Sequence, residues 1–175
     1  MLQPIEELEE WHKKDDPWGY YNNPEDTKRI DILLSEIPRK NYKNVLDIGC
    51  GQGFVTRVLP WTKITGVDIS QEAIKKAKAF ETEKLKFVHA SLFSLNKIFD
   101  KQFDLILITG VLYTQYIGNS LNLCYRIVDK LLDDSGILVS VHIDEWYKAR
   151  FAYLLLKDYF YDYREYTHRL EVYVK

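Results

Sequence analysis

Short apolar runs alternate with longer amphipathic segments from residue 44 to residue 157. The runs are the length of buried strands, and the segments between them repeat apolar residues at helical spacing. The predicted strands are 44–49, 63–68, 84–90, 103–109 and 136–142, and the predicted helices are 54–60, 71–80, 119–132 and 145–157. Such alternation is typical of an α/β fold with a parallel sheet and right-handed crossover helices.

An N-terminal arm precedes this alternation. Pro4–His12 has the apolar stripe of a short helix. Asn23 followed by Pro24 predicts the start of a longer helix, because Asn is a favoured N-cap and proline suits the first helical position. We therefore expect residues 1–22 to form an arm or lid and residues 23–175 to form a single domain.

The C-terminal segment predicts strands instead of helices. Residues 159–166 and 170–174 are rich in tyrosine and valine, which favour pleated, half-buried positions. We expect two strands joined by a tight turn near residues 167–169.

The first predicted strand of the alternating region ends in a glycine-rich turn. Gly49, Gly51 and Gly53 stand at alternate positions, two residues after Asp47, so the backbone can turn sharply and approach a ligand closely. A dinucleotide-binding turn has its third glycine one position later and holds a pyrophosphate, which this carboxylate would repel. No Lys-Ser or Lys-Thr pair follows the glycines, as a phosphate-binding loop requires. The turn therefore favours a ligand with a cationic group.

A second carboxylate ends the next predicted strand. Asp68 follows Asp47 by 21 positions, which is about the spacing at which an acid reaches ribose hydroxyls in nucleotide-binding sheets. A carboxylate accepts two hydroxyl hydrogen bonds at once. S-adenosylmethionine fits this pattern, because it carries an ammonium, a sulfonium and a ribose, and no phosphate.

In these motifs the chain resembles the class I S-adenosylmethionine-dependent methyltransferases. The matching segments are Val45–Gly53, Gly66–Ser70, Phe103–Leu107 and Leu132–Leu138. The resemblance implies a Rossmann-like, doubly wound sheet of seven mostly parallel strands, with an antiparallel last strand and helices on both faces.

The resemblance also implies how the residues meet the cofactor S-adenosylmethionine. Gly49 and Gly51 would approach its methionine part, Asp47 would hold its amino group, and Asp68 would bind its ribose. The other residues expected at the cofactor are Ile69, Ser91, Leu92, Thr109, Trp18 and Tyr20. The family often has an acid where Ser91 stands, and a serine is a weaker acceptor for the adenine amino group.

The methyl acceptor is expected beyond the carboxyl ends of the strands, where open α/β sheets bind ligands. Tyr113, Asp144 and Glu145 are the candidate substrate-binding residues. His142 is the candidate general base, because an imidazole titrates near neutral pH, although a hydrogen-bonded structural histidine is an open alternative. Residues 16–21 and Tyr113 also resemble nodulation-factor N-methyltransferases, which implies an amino sugar as one candidate acceptor. The acceptor expected here is an N or O atom of a small molecule, such as a sugar or oligosaccharide.

Composition and charge limit the partners, metal sites and cellular location that we expect. The net charge is −2 and no basic stripe is visible, which disfavours nucleic acid as a partner. Cys50 and Cys124 make neither a disulfide framework nor a zinc motif, and we expect no metal. There is no membrane-length apolar run or basic-apolar leader, so we expect a cytoplasmic protein whose oligomeric state the sequence leaves open.

Two alternatives to a methyltransferase stay open: a nicotinamide-dependent oxidoreductase with an atypical glycine turn, and a non-catalytic domain that binds the cofactor or a protein.

Overall fold

The computed structural model describes residues 2–21, 23–100 and 102–175. They contain a seven-stranded sheet whose strands are β1 (Val45–Ile48), β2 (Ile64–Asp68), β3 (Leu85–His89), β4 (Phe103–Thr109), β5 (Leu132–Ile143), β6 (Leu154–Tyr163) and β7 (Tyr166–Val174). The strand order is β3-β2-β1-β4-β5-β7-β6, and all pairings are parallel except those that β7 makes with β5 and β6. The expected fold class is confirmed, including the antiparallel last strand.

Helices cover both faces of this sheet. The α-helices are α1 (Ile5–His12), α2 (Pro24–Glu36), α3 (Gln71–Ala77), α4 (Leu95–Ile98), α5 (Thr114–Ile117) and α6 (Leu121–Leu131), and 3₁₀ turns lie at Thr56–Val58, Lys78–Phe80 and Leu92–Ser94. Asn23 caps α2 by accepting from the Glu25 N–H, and Ser70 caps α3 by accepting from the Ala73 N–H. Both caps satisfy backbone donors that a helix leaves unpaired.

Two apolar cores result from the alternation of side chains along β4. Leu105 and Leu107 pack on the face covered by α2 and α3, whereas Ile106 and Ile108 pack on the face covered by α6. Since consecutive side chains of a strand point to opposite faces, a strand buried on both faces is apolar throughout. This is why β4 was recognisable as a continuous apolar run.

The predicted helix at 145–157 is wrong. A turn follows β5 at Asp144, and β6 begins at Leu154 and pairs with β7 along its length. The Arg169 Nη2 donates to the carbonyl oxygens of Tyr147 and Ala149 at 3.1 Å each. These carbonyls would accept from the helix's own N–H groups if residues 145–157 were helical, so tertiary pairing overrides the local pattern.

Two smaller expectations also differ from the structure. The segment 54–60 contains a single 3₁₀ turn at Thr56–Val58 instead of a full helix. The last hairpin turns at Arg164 and Glu165, three residues before the expected place, with Arg164 at φ 55°. A two-residue turn between Tyr163 and Tyr166 requires such positive φ values, and it puts residues 167–169 inside β7.

Candidate active site

A cavity of about 530 Å³ opens at the carboxyl ends of β1, β2, β4 and β5. The N-terminal arm forms the opposite wall, with α1 and residues 16–21 lining it. The arm is attached to the domain through Glu9, whose carboxylate accepts from the Ser70 hydroxyl at 2.7 Å and from the Gln71 N–H at 2.7 Å. The cavity is therefore enclosed between the sheet edge and the segment that the sequence predicts to be an arm or lid.

The glycine turn after β1 forms the floor of the cavity. The backbone N–H groups of Gly49 and Cys50 both donate to the Val67 carbonyl, at 2.8 and 3.0 Å. Gly49 has φ +79°, and a Cβ there would lie 2.2 Å from the Val111 Cγ2. Glycine is required at this position, because a side chain would be strained and would collide with the segment after β4.

Asp47 is buried beside this turn with one carboxylate oxygen unused. Its Oδ2 accepts from the Thr56 hydroxyl at 2.6 Å, whereas its Oδ1 has no hydrogen-bond partner among the described residues. Burial raises the pKa of Asp47 to about 6, and the Thr56 hydrogen bond opposes this shift. A buried carboxylate oxygen without a donor is unfavourable, so the site fits a cationic donor such as the ammonium of S-adenosylmethionine.

Asp68 connects the glycine turn to α3. Its Oδ2 accepts from the Gly51 N–H and its Oδ1 from the Ser70 N–H, both at 2.8 Å. Burial raises the pKa of Asp68, and the two backbone hydrogen bonds oppose that shift. A carboxylate has about four lone-pair sites, so Asp68 retains acceptor capacity on the cavity wall that it lines.

The other residues expected at the cofactor all line the cavity, namely Ile69, Ser91, Leu92, Thr109, Trp18 and Tyr20. Ser91 is less available than its position implies, because its hydroxyl accepts from the Phe93 N–H at 3.3 Å and begins a 3₁₀ turn. Tyr20 packs on Phe54, with ring centroids 4.7 Å apart. The structure therefore brings the whole set of expected cofactor residues to one cavity.

The expected substrate residues divide into two groups. Tyr113 lines the cavity, and its hydroxyl oxygen accepts from the Ile143 N–H at 2.8 Å. Asp144 lies outside the lining and pairs with Lys148 and with the Arg169 Nη1. Glu145 also lies outside it and accepts from the Thr167 N–H at 3.3 Å. The two acids stabilise the turn after β5 and do not face the cavity.

His142 does not fit the expected role of general base. It is buried, lies outside the cavity lining, and its Nε2 accepts from the Val111 and Leu112 N–H groups at 3.3 and 3.1 Å. The ring hydrogen then lies on Nδ1, which is 3.1 Å from the Ser140 hydroxyl. Burial, with a smaller effect of Arg169, lowers the pKa of His142 to about 3. The imidazole thus supports the backbone after β4.

Sequence reasoning missed three cavity residues with unused polar atoms. Within the described ranges, three side chains that line the cavity have buried atoms without a hydrogen-bond partner. These atoms are Nδ1 of His12, Nδ1 of His168, and Nε and Nη2 of Arg29. Arg29 carried a signal, because it lies next to the apolar stripe of α2 that contains Leu33. A charge close to an apolar stripe calls for a partner or a ligand.

A family model described as a methyltransferase domain matches residues 39–167. This match covers more than half of the chain and contains Asp47 and Asp68. The chain belongs to this methyltransferase family. The family expected from the sequence motifs is confirmed.

Similar proteins agree with this assignment. Trans-aconitate 2-methyltransferase of Escherichia coli O139:H28 is 31% identical over 118 residues, which cover 65% of this chain and 44% of that protein. The chain thus spans less than half the length of the curated relatives it matches.

Among solved structures, the N-methyltransferase NodS from Bradyrhizobium japonicum WM9, in complex with S-adenosyl-l-homocysteine, has a TM-score of 0.83 at 20% identity and covers 98% of this chain and 97% of that one. Magnesium protoporphyrin IX methyltransferase from Synechocystis PCC 6803, with bound S-adenosylmethionine, has a TM-score of 0.66 at 17% identity and covers 85% and 77%. The likeness at these identities concerns the fold.

The described part of the chain lacks two features. No helix there is long and apolar enough to cross a membrane. No group of three or more His, Cys, Asp or Glu side chains in the same part is arranged to hold a metal ion.

Proposed function

We propose that this chain is an S-adenosylmethionine-dependent methyltransferase that acts on a small molecule at a nitrogen or oxygen atom. The observation that supports this most is the unused Oδ1 of Asp47 beside the glycine turn. A phosphate-bearing cofactor would meet a negative charge there, whereas an ammonium would meet its complement. Family membership points to the same chemistry.

The chain's own residues would hold the cofactor at three places. Asp47 accepts from the amino group, and the glycine turn leaves room for the methionine part. Asp68 accepts from the ribose hydroxyls, while Ile69 and Leu92 provide apolar surface for the adenine. When bound, the cofactor supplies a methyl group that its sulfonium has already activated for displacement.

The contribution of the protein is then mostly positioning. An in-line displacement needs the nucleophile aligned with the methyl group, and correct placement supplies a large part of the rate. Trp18 and Tyr20 line the same wall of the cavity as α1, where they exclude water from the bound cofactor.

The acceptor would lie at the tyrosine-rich end of the cavity. This wall includes Tyr113, Trp146, Tyr161, Tyr166 and His168. Burial lowers the pKa of His168 to about 4, with a smaller effect of Arg29, so the ring is neutral near pH 7. Aromatic faces and a neutral imidazole suit a small acceptor with hydroxyl or amine groups, and a sugar is one such acceptor. The cavity volume is in the range typical of small-molecule sites.

Two experiments test this proposal. Calorimetric titration should show binding of S-adenosylhomocysteine and no response to NADH; the reverse result would favour the oxidoreductase alternative. Transfer of a labelled methyl group from S-adenosylmethionine to members of a metabolite and glycan library should identify the acceptor class. Binding without transfer to any member would favour the non-catalytic alternative.

A further inference from the structure

Arg29 is a buried cation, and two of its three guanidinium nitrogens have no hydrogen-bond partner in the described part of the chain. It lies on α2 and lines the cavity, and its side chain is 14% exposed. The two nitrogens are Nε and Nη2. Unpaired donors on a buried charged group are strongly unfavourable, so the Nε and Nη2 of Arg29 call for an acceptor that the protein itself does not place in hydrogen-bond geometry.

Two aromatic rings hold the guanidinium in place. Its central carbon lies 4.8 Å from the ring centroid of Tyr20 and 5.1 Å from that of Tyr163. Stacking on aromatic faces is a favourable environment for arginine and restricts its rotamers. Arg29 is therefore preorganised before any ligand binds, and Tyr20 of the N-terminal arm contributes to that order.

The local charges leave Arg29 incompletely neutralised. Its Nη2 lies 3.4 Å from the Oδ1 of Asp26, but without hydrogen-bond geometry. The same fully buried carboxylate accepts from the Tyr163 hydroxyl at 2.6 Å and pairs with the Arg164 Nη2 at 3.3 Å. One carboxylate thus faces two guanidinium groups, so Asp26 is shared and does not neutralise Arg29 alone.

Asp47 supplies the opposite charge to the same cavity. Its unused Oδ1 is an acceptor, whereas the unused Nε and Nη2 of Arg29 are donors. The two groups are close enough that the guanidinium lowers the pKa of the Asp47 carboxyl, against the larger effect of burial. An α-amino acid carries an ammonium and a carboxylate on one carbon atom, and it is complementary to this pair.

We propose that Arg29 binds the carboxylate of the amino-acid end of S-adenosylmethionine, so that Asp47 and Arg29 hold the two charges of this zwitterion. The inference rests on the proposed function and adds a selectivity to it. The chain would prefer a cofactor with an intact carboxylate over its decarboxylated form, because the latter leaves the Nε and Nη2 of Arg29 without a hydrogen-bond acceptor.

The experiment measures binding of two probes that differ only in this carboxylate. S-adenosylhomocysteine and decarboxylated S-adenosylhomocysteine are titrated calorimetrically into the wild-type chain and into Arg29→Gln. We expect the wild type to prefer the carboxylate-bearing probe by about tenfold to hundredfold. In Arg29→Gln the two affinities should lie within about twofold, because only the carboxylate-bearing probe loses a contact.

Arg164→Gln is the matched control. Arg164 also lines the cavity and also pairs with Asp26, so this variant removes a similar charge and should keep the wild-type preference. Arg29→Lys keeps the charge without the fork of donors and should show a partial preference. It also provides the test if thermal melting shows that Arg29→Gln does not fold.

The outcomes separate the two proposals. A wild-type chain that binds neither probe contradicts the proposed function itself. A wild-type chain that prefers S-adenosylhomocysteine while Arg29→Gln retains that preference overturns the role of Arg29 only. Equal loss of both probes in Arg29→Gln would mean that Arg29 has a structural role, and loss of the preference in Arg164→Gln would assign the carboxylate to Arg164.

Discussion

The carboxyl ends of β1 and β5 each bury one titratable side chain, and the two differ in what their polar atoms do. Asp47, near the end of β1, has a pKa raised to about 6 and an oxygen without a partner among the described residues. His142, at the end of β5, has a pKa lowered to about 3, and both its ring nitrogens have partners. Burial displaces both pKa values, but only Asp47 has a hydrogen-bonding atom left for a ligand.

The comparison gives a criterion for recognising a binding residue. A displaced pKa is often taken as a sign of function, yet desolvation produces it for structural groups as well. An unused polar atom on a cavity wall is more specific, because proteins normally satisfy buried polar groups. Asp47 meets this criterion and His142 does not, so mutations at the two positions should differ in kind.

Replacement of Asp47 should have the largest effect. Asp47→Asn keeps an oxygen for the Thr56 hydroxyl but removes the charge. We expect affinity for S-adenosylhomocysteine to fall about hundredfold, while the free energy of unfolding at pH 7.5 rises by up to about 3 kcal/mol, because the variant no longer buries an ion. Calorimetry and urea denaturation measure the two quantities. An unchanged affinity would remove the main support for the proposed cofactor.

Replacement of His142 should show the opposite combination. His142→Leu leaves the Val111 and Leu112 N–H groups without their acceptor, which should lower the free energy of unfolding by roughly 2 kcal/mol. Affinity for S-adenosylhomocysteine should change by less than about threefold, as long as the protein folds. His142→Gln, which retains an acceptor, is the control and should recover part of the stability. A tenfold loss of affinity at full stability would place His142 at the ligand.

Asp68 is intermediate between the two cases, because both its oxygens accept backbone hydrogen bonds and its side chain also lines the cavity. We expect Asp68→Ala to weaken S-adenosylhomocysteine binding by more than about tenfold. The same variant should bind adenine no more weakly than the wild type does, because adenine has no ribose. A change in S-adenosylhomocysteine affinity below about twofold would exclude a ribose contact.

The pH dependence of the free energy of unfolding should also distinguish Asp47 from His142, although the expected changes are smaller. The pKa of Asp47 is raised from 3.8 to about 6, so its contribution to stability decreases as pH rises through this window. The pKa of His142 is lowered from 6.5 to about 3, so its contribution decreases as pH falls through that window. From pH 4.5 to 7.5, the stability gain of Asp47→Asn and the stability deficit of His142→Leu should both grow. Urea denaturation at the two pH values tests this, and a gain or deficit independent of pH would contradict it.

The sequence was sufficient for the part of the fold whose signals are local. β2 and β4 are buried apolar runs, and the glycine turn after β1 is set by the requirement for positive φ at Gly49. Residues 145–157 were mispredicted, because their extended form depends on Arg169 and on pairing with β7. The hydrophobic pattern of a segment does not reveal its contacts with residues distant in sequence.

The residues of the candidate site were likewise predictable where the signal is local in sequence and missed where it depends on tertiary contacts. Asp47 and Asp68 were found because they stand at fixed distances from the glycine turn along the chain. Arg29 and His168 were missed, because they reach the cavity from α2 and β7, and which face of an element lines a cavity depends on tertiary packing.

The central claim is that the Asp47 carboxyl receives a cation, and proton release on binding tests it most directly. With a pKa of about 6 in the free protein, Asp47 is roughly half protonated at pH 6, and an ammonium beside it would expel that proton. Titration of S-adenosylhomocysteine at pH 6, in buffers of different ionisation enthalpy, should show release of about half a proton per ligand in the wild type and none of this component in Asp47→Asn. Equal proton release in both proteins, or none in the wild type, would contradict the account.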